Sequence, residues 1–349
     1  MLMDEPVSRF AESGVPGGGP GVAVTSTLAK KRRSPGPCDA TRVVAATRGA
    51  ELQGQVMLGD AFDLFDQVPP ESVDLVITSP PYWGHREYGL SHNWQLFNDI
   101  RQVKQQFSTA SPGYDEYRRL DGVLGLEPYP EWYVSHLAEI LSKARRCLKP
   151  SGSMWINVGD TYFARWARIR ENGRQGLSEQ GRARRKTPMG DFRQEKQLLL
   201  IPARFAIAMQ SRGWVLRNDL IWHKPNGTPR PEADRLRLTH EHFFHFVKRP
   251  AEGRPAYFYA PQFAEPGLND VIAVNAAPGE DGHTATFPRK LITPRILTSS
   301  PANGIVLDPF CGTGRALEVA VELGRIVIGF EKCQAFRDAA QSKLAIWQG

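Results

Sequence analysis

The segment from Gly304 to Glu331 constrains the fold more than any other. Gly304-Ile-Val-Leu-Asp308 is a short apolar strand and Asp308-Pro-Phe-Cys-Gly-Thr-Gly314 a glycine-bearing turn. Gly314 to Leu323 follows as a helix, and Arg325-Ile-Val-Ile-Gly-Phe-Glu331 as a second apolar strand. A strand that returns through a helix to another strand belongs to a parallel α/β sheet rather than to a meander of hairpins. The rest of the chain repeats this alternation. Strands are expected at Gln55 to Asp60, where Gly59 stops the run, at Ser72 to Thr78 and at Ser153 to Val158. Helices are expected from Glu131 to Leu148, broken by Lys149-Pro-Ser-Gly152, from Ile201 to Arg212 and from Arg289 to Thr298, with a last helix closing the chain. Trp214 to Trp222 and Glu241 to Val247 read as a strand pair. The fold class is α/β with a mostly parallel sheet, and no repeat at solenoid periods is present.

With 41% apolar and 23% charged residues, the 349-residue chain has globular rather than disordered composition. Its longest apolar stretches are strand-sized, too short to cross a membrane. Its first residues lack the basic start and apolar run of a signal peptide. Cys38, Cys147, Cys311 and Cys333 form no Cys-x-x-Cys pair, which argues against a disulfide framework and a zinc knuckle. A soluble, cytoplasmic protein is expected. The net charge of +7 is unevenly placed: residues 164–196 carry +6 and residues 1–50 carry +3, leaving −2 for the remainder. Two basic segments on a near-neutral body suggest an acidic polymer as partner. Residues 1–50, rich in Gly and Pro around Lys30-Lys-Arg-Arg33, read as a flexible tail, and residues 51–349 as one domain.

Glycines in the turn after Asp308 let backbone approach a ligand closely at the amino end of a helix, where N–H donors point outward. Glu331, at the end of the next strand, is placed to accept hydrogen bonds from the two hydroxyls of a ribose. Together they suggest a nucleoside cofactor at the strand ends, against the plainer reading of a tight turn with no ligand. A dehydrogenase fingerprint fails, because Leu317 stands where its third glycine belongs. Ser79-Pro-Pro-Tyr82 ends the second strand abruptly, since consecutive prolines cannot continue a central strand.

These two loops resemble those of the S-adenosylmethionine-dependent DNA amino-methyltransferases. Asp308 to Gly314 is similar to their cofactor loop, and Thr78-Ser-Pro-Pro-Tyr-Trp83 to their catalytic loop. The catalytic loop comes first in the chain, as in the permuted β group. The resemblance runs from about Gln55 to the end. It implies a Rossmann-like methyltransferase, circularly permuted, with a mostly parallel sheet and one antiparallel strand. Asp60, after Gly59, stands where the family places an acid against adenine. Leu148 to Ser153 resembles the turn before a sheet strand. Trp214 to Lys224 and Thr239 to Lys248 resemble the final antiparallel pair. Thr286 to Leu291, with Phe287, resembles the segment closing over the methionine moiety. The implied cofactor-binding set is Asp60, Phe287, Asp308, Pro309, Phe310, Gly312, Gly314 and Glu331, with S-adenosylmethionine as cofactor.

The Ser-Pro-Pro-Tyr loop suits transfer to an exocyclic amine. Such an amine is a poor nucleophile until its hydrogens are drawn toward acceptors and its lone pair localises. The Ser79 hydroxyl and the Pro80 carbonyl, held by fixed proline φ, are assigned as those acceptors. With Pro81 completing the loop, Tyr82 stacks on a base rotated out of the duplex. Within the family, Ser at the first position points to N4 of cytosine. N6-adenine methylation is the close alternative, and a non-catalytic DNA-binding protein of the same fold is the rival from another class. Carbon-5 chemistry is rejected: Pro37-Cys38 lies in the tail, and Cys311 belongs to the cofactor loop. His240, His242 and His245 lack metal-ligand spacing, and no metal is expected.

Duplex DNA is the expected partner. Trp83 and Arg86 follow the catalytic loop, and Arg165, Arg168, Arg170, Arg184, Arg185 and Lys186 lie in the basic segment. Arg230, Arg235 and Arg237 lie in the region 225–283, the candidate for base reading. Residues 86–119, 164–196 and 225–283 are read as DNA-contacting insertions. The resemblance implies a bacterial cytoplasmic, nucleoid-associated enzyme of restriction-modification type. It leaves open a companion restriction endonuclease, a homodimer and the recognition sequence.

Overall fold

A computed structural model provides the structure of the chain. It describes residues 54–84, 90–93, 96, 111–164, 166–169, 175–176, 183–187, 189–227, 233–277 and 287–346, with side chains omitted at 166–169, 175–176, 183–186 and 268. The expected tail at 1–50 lies outside these residues. In chain order the strands are β1 (Gly54–Leu58), β2 (Val73–Thr78), β3 (Leu148–Val158), β4 (Trp166–Ile169), β5 (Gln175–Gly176) and β6 (Ala183–Lys186). They continue with β7 (Trp214–His223), β8 (His240–Lys248), β9 (Val271–Ala273), β10 (Ile305–Asp308) and β11 (Ile326–Glu331). The helices are α1 (Ala61–Leu64), α2 (Tyr114–Arg119), α3 (Pro130–Ser142), α4 (Ala144–Cys147), α5 (Ile201–Ser211), α6 (Arg289–Ser299), α7 (Arg315–Glu322) and α8 (Gln334–Ala345).

Eight strands form one sheet in the order β1-β11-β10-β2-β3-β8-β7-β9. Only β8 runs against the others in this sheet among the described residues. Every residue of β2 is buried, as expected for a central strand covered on both faces. Alternation along the strand assigns the two faces. Val76 joins Leu137, Leu141 and Phe205 of α3 and α5 on one face. Leu75 and Ile77 join Leu291 and Ile296 of α6, Leu317 of α7 and Leu344 of α8 on the other. The result is a three-layer α/β/α sandwich.

From β10 the chain proceeds outward to β11, and from β2 it proceeds the other way to β3. The boundary between β10 and β2 is therefore the topological switch point, where loops leaving the carboxyl ends diverge and open a crevice. The Ser79–Tyr82 loop leaves β2 and the glycine turn leaves β10, so both open at this crevice.

The structure departs from expectation in four places. Lys149-Pro-Ser-Gly152 does not break the chain before β3 but lies inside it, and the register jumps from Val73↔Leu148 to Leu75↔Ser153. The extra residues bulge outward, where exposed Pro150 and Ser151 meet solvent. Helix α2 forms within the 86–119 segment, its side chains Tyr114 and Tyr117 buried. Strands β4, β5 and β6 pair antiparallel within the basic segment that showed little periodicity. Strand β9 pairs parallel to β7 in the Pro-rich stretch.

Candidate active site

The Ser79–Tyr82 loop is held from three sides. Pro80 is buried and Ser79, Pro81 and Tyr82 are half-buried. From α3, the Tyr133 hydroxyl donates to the Pro81 carbonyl at 2.9 Å. Gly125, at φ +89°, lies so close that a Cβ there would sit 3.2 Å from the Tyr82 carbonyl oxygen. The Ser79 hydroxyl donates to the Tyr82 hydroxyl oxygen at 3.3 Å. That hydroxyl in turn faces Asn157 Oδ1 at 3.0 Å and Glu241 Oε2 at 2.9 Å. The Lys224 ammonium pairs with the other Glu241 oxygen. A Cβ on Gly159 would approach the Tyr82 ring to 2.8 Å, so bare backbone packs against the phenol.

The glycine turn is built around two carboxylates. Asp308 Oδ1 accepts from the Thr78 hydroxyl at 2.5 Å and from the Phe310 N–H at 3.1 Å. This single oxygen ties the residue before Ser79 to the first residues of the turn. Burial pushes the Asp308 carboxyl up to about 7, against the stabilising pull of Thr78 and Phe310, with the charge of Glu331 pushing further. Glu331 accepts from the Gly312 N–H at 2.9 Å and the Cys333 N–H at 2.8 Å. Its carboxyl is also raised by burial, which outweighs the backbone amides that favour the charged form. Gly312 adopts φ +53° and Gly314 φ +84°, the left-handed region that favours glycine. Helix α7 starts directly after Gly314.

Both loops line one cavity of about 290 Å³. Ser79, Pro80, Pro81, Tyr82, Asp60, Phe287, Asp308, Pro309, Phe310, Gly312 and Glu331 all contribute to it. Asp60 caps α1 through the Phe62 N–H, and its second oxygen accepts from Tyr114 and Lys332, each at 2.9 Å. Phe287 is buried against Phe243, with ring centroids 5.6 Å apart. Gly314 stands behind the lining instead: a Cβ there would meet Ala340 of α8 at 3.0 Å, so the residue serves helix packing and the turn.

The sequence matches the N6/N4 DNA methylase family model over residues 73–342. The chain belongs to the DNA methylase family. It is 31% identical over 303 residues to the Type II methyltransferase M.Cfr9I of Citrobacter freundii, covering 84% of this chain and 89% of that one. It is 30% identical over 299 residues to the Type II methyltransferase M.SmaI of Serratia marcescens, covering 83% and 90%. Among solved structures, the cytosine-N4-specific PvuII DNA methyltransferase shares the fold at a TM-score of 0.57 and 19% identity, covering 83% of this chain and 86% of that one. A protein of Thermus thermophilus solved in complex with S-adenosyl-L-methionine does so at 0.50 and 22%, covering 84% and 94%.

Of the residues expected to meet DNA, the structure relocates one. Trp83 is a correction: it is buried, 3% exposed, with its indole N–H on the Glu127 carbonyl at 2.9 Å. A large apolar side chain with a satisfied N–H is a wall of the core, not a contact for DNA. Arg235 packs over the Tyr162 ring at 3.7 Å, and Arg237 is exposed. Arg86, Arg165, Arg170 and Arg230 lie outside the described residues. Arg168 falls on β4 and Arg184, Arg185 and Lys186 on β6, which pair with each other. His242 contacts Asp219 at 2.9 Å, whereas His245 stacks on Trp155 with ring centroids 4.5 Å apart.

Tyr133, Asn157, Lys224, Glu241, Tyr114 and Lys332 were not assigned to the site from sequence. One signal was available for Glu241. Because β8 is antiparallel, its first residues stand beside the carboxyl ends of the parallel strands, with Val158 opposite His242.

Proposed function

We propose that the chain transfers a methyl group from S-adenosylmethionine to the exocyclic N4 amine of cytosine in duplex DNA, with the target base rotated out of the helix. The observation that carries this reading is the meeting of Ser79-Pro-Pro-Tyr82 and the Asp308 turn across one cavity, joined by the Thr78–Asp308 bond. Family membership and the N4 specificity of the PvuII enzyme support it. The Type II relatives support a restriction-modification setting.

The residues present fit the cofactor. Each Glu331 oxygen uses one lone pair on a backbone N–H, and the remaining lone pairs suit the two hydroxyls of a ribose. Pro309, Phe310, Phe330 and Phe336 supply apolar walls nearby for a purine ring. Asp308 supplies a carboxylate for the cationic end. When bound, S-adenosylmethionine supplies an electrophilic methyl group on a sulfonium.

The protein's part is orientation. The Ser79 hydroxyl oxygen and the Pro80 carbonyl accept the two amine hydrogens, which localises the nitrogen lone pair. Tyr82 offers its ring to the extruded base. Holding the reacting atoms in line accounts for the acceleration, and the amine, acidic once methylated, releases one proton to water, so no covalent adduct with the enzyme is required. Buried Cys311 is unsuited to that role, its thiol pushed well above the ordinary range by burial.

Cofactor affinity should depend on pH through Asp308. Its pKa is raised in the folded chain, so its contribution to stability is lost as pH climbs through about 7. A cationic ligand favours the ionised carboxylate. Affinity should therefore rise by up to about tenfold per pH unit below 7 and level off above it. Calorimetry between about pH 6 and about pH 8 measures this, and Asp308→Asn should bind weakly with a flat profile.

Basic residues of the 164–196 segment should set the salt dependence of DNA binding. Changing Arg165, Arg168, Arg170, Arg184, Arg185 and Lys186 together to Gln should lower the slope of log affinity against log salt by about 0.9 for each residue that meets a phosphate. An unchanged slope would show that this charge never reaches DNA. The activity itself is tested with cofactor carrying a labelled methyl group and a mixture of duplex sequences. Label is expected in DNA, and its absence despite DNA binding would leave a non-catalytic DNA-binding protein.

A further inference from the structure

A serine hydroxyl is both donor and acceptor. The function proposed above, on which this inference rests, requires Ser79 to act toward the base amine only as an acceptor. Its proton must therefore point elsewhere, and the structure shows where. Ser79 Oγ lies 3.3 Å from the Tyr82 hydroxyl oxygen, which is equally able to donate or accept.

The groups beyond Tyr82 remove that ambiguity. Asn157 places its Nδ2 on the His242 carbonyl at 3.1 Å, so it presents Oδ1 to Tyr82. Glu241 presents Oε2 at 2.9 Å, and an ionised carboxylate accepts only. With acceptors at both outward positions, the phenol proton points away from Ser79, and a phenol lone pair is left to receive the serine proton. The Lys224 ammonium binds Glu241 Oε1 and so fixes the orientation in which Oε2 faces Tyr82. Bare backbone at Gly159 closes the other side, where a Cβ would be 2.8 Å from the Tyr82 ring and 3.3 Å from Glu241 Oε1.

We propose that Glu241, anchored by Lys224, is a positioning residue that sets the direction of the hydrogen-bond chain Ser79→Tyr82→Glu241 and so presents the Ser79 oxygen to the substrate amine as an acceptor. Neither residue need touch the methyl group. Tyr82 keeps its proton in this arrangement: its withdrawal from water and the Glu241 charge hold its pKa well above the ordinary phenol value.

Glu241→Gln tests the assignment with almost no change of shape. The amide can present Nε2 to Tyr82, which lets Tyr82 donate back to Ser79 and reverses the chain. The single-turnover rate of methyl transfer should fall between about 10- and 100-fold, the range for one oriented bond to a charged group. Dissociation constants for S-adenosylmethionine and duplex DNA should stay within about threefold. In a Tyr82→Phe background, where the link is already cut, Glu241→Gln should cost less than about twofold more. An unchanged rate, a loss that appears in the dissociation constants, or losses that multiply across the double variant would each overturn the proposal. If thermal unfolding shows that Glu241→Gln does not fold, Lys224→Met reads the same chain from its far end, with the same rate loss expected and an unchanged rate overturning it. A wild-type protein that moves no methyl group would overturn the proposed function itself. An active wild type with a fully active Glu241→Gln would overturn only this inference.

Discussion

Pro81→Ala is expected to cut methyl transfer by at least about 100-fold, the cost of misplacing a reacting group by roughly an ångström. Cofactor affinity should stay within about threefold of the wild type. The reason lies one residue upstream. A proline confines the backbone of the residue before it, so Pro81 fixes ψ of Pro80 and thereby aims the Pro80 carbonyl. Alanine keeps the carbonyl that accepts from Tyr133 at 2.9 Å, so the loop stays attached to α3. What it loses is the direction of the preceding carbonyl, one of the two amine acceptors proposed above. Single-turnover kinetics beside calorimetric binding separates the two effects. An equal loss of cofactor affinity would show that the loop is structural scaffolding.

Glu331→Ala should act in the opposite way, through binding. Its carboxylate holds the Gly312 and Cys333 amides, and hydrogen bonds to a charged group contribute about 1.5–3 kcal/mol each. Removing both frees the turn after β10 and takes away the acceptor assigned to the ribose. Cofactor affinity should drop by at least about 100-fold, and the unfolding temperature should fall because two amides lose their partner. Glu331→Gln should lie between, since the amide oxygen still accepts but without charge. Wild-type affinity in Glu331→Ala would remove Glu331 from the cofactor site.

The two variants divide the site along the line on which the sequence was legible. Ser79 to Tyr82 and Asp308 to Gly314 are contiguous motifs at strand ends, and their chemistry depends on backbone features that proline and glycine announce locally. The mostly parallel sheet follows from the alternation of strands and helices, and the antiparallel strand is implied by the resemblance of Trp214 to Lys224 and Thr239 to Lys248 to the family's final pair. The switch point is seen only in the strand order. The partners of Tyr82 are different. Glu241 lies 159 positions from it and Asn157 lies 75. They meet only through the register of β8 against β3, which no local pattern encodes. Trp83 differs for a related reason: its place beside Ser79 to Tyr82 suggests DNA, whereas burial against the Glu127 carbonyl is a tertiary fact. The Lys149 to Gly152 stretch reads as a turn by composition, yet the sheet absorbs it as a bulge within β3.

Nucleoside analysis of duplex DNA methylated by the purified protein decides which amine receives the methyl group. The DNA is digested after reaction with labelled S-adenosylmethionine, and the labelled nucleosides are separated. Label is expected in N4-methylcytosine and should be lost in Ser79→Ala. Label in N6-methyladenine with none in N4-methylcytosine would overturn the assignment to cytosine.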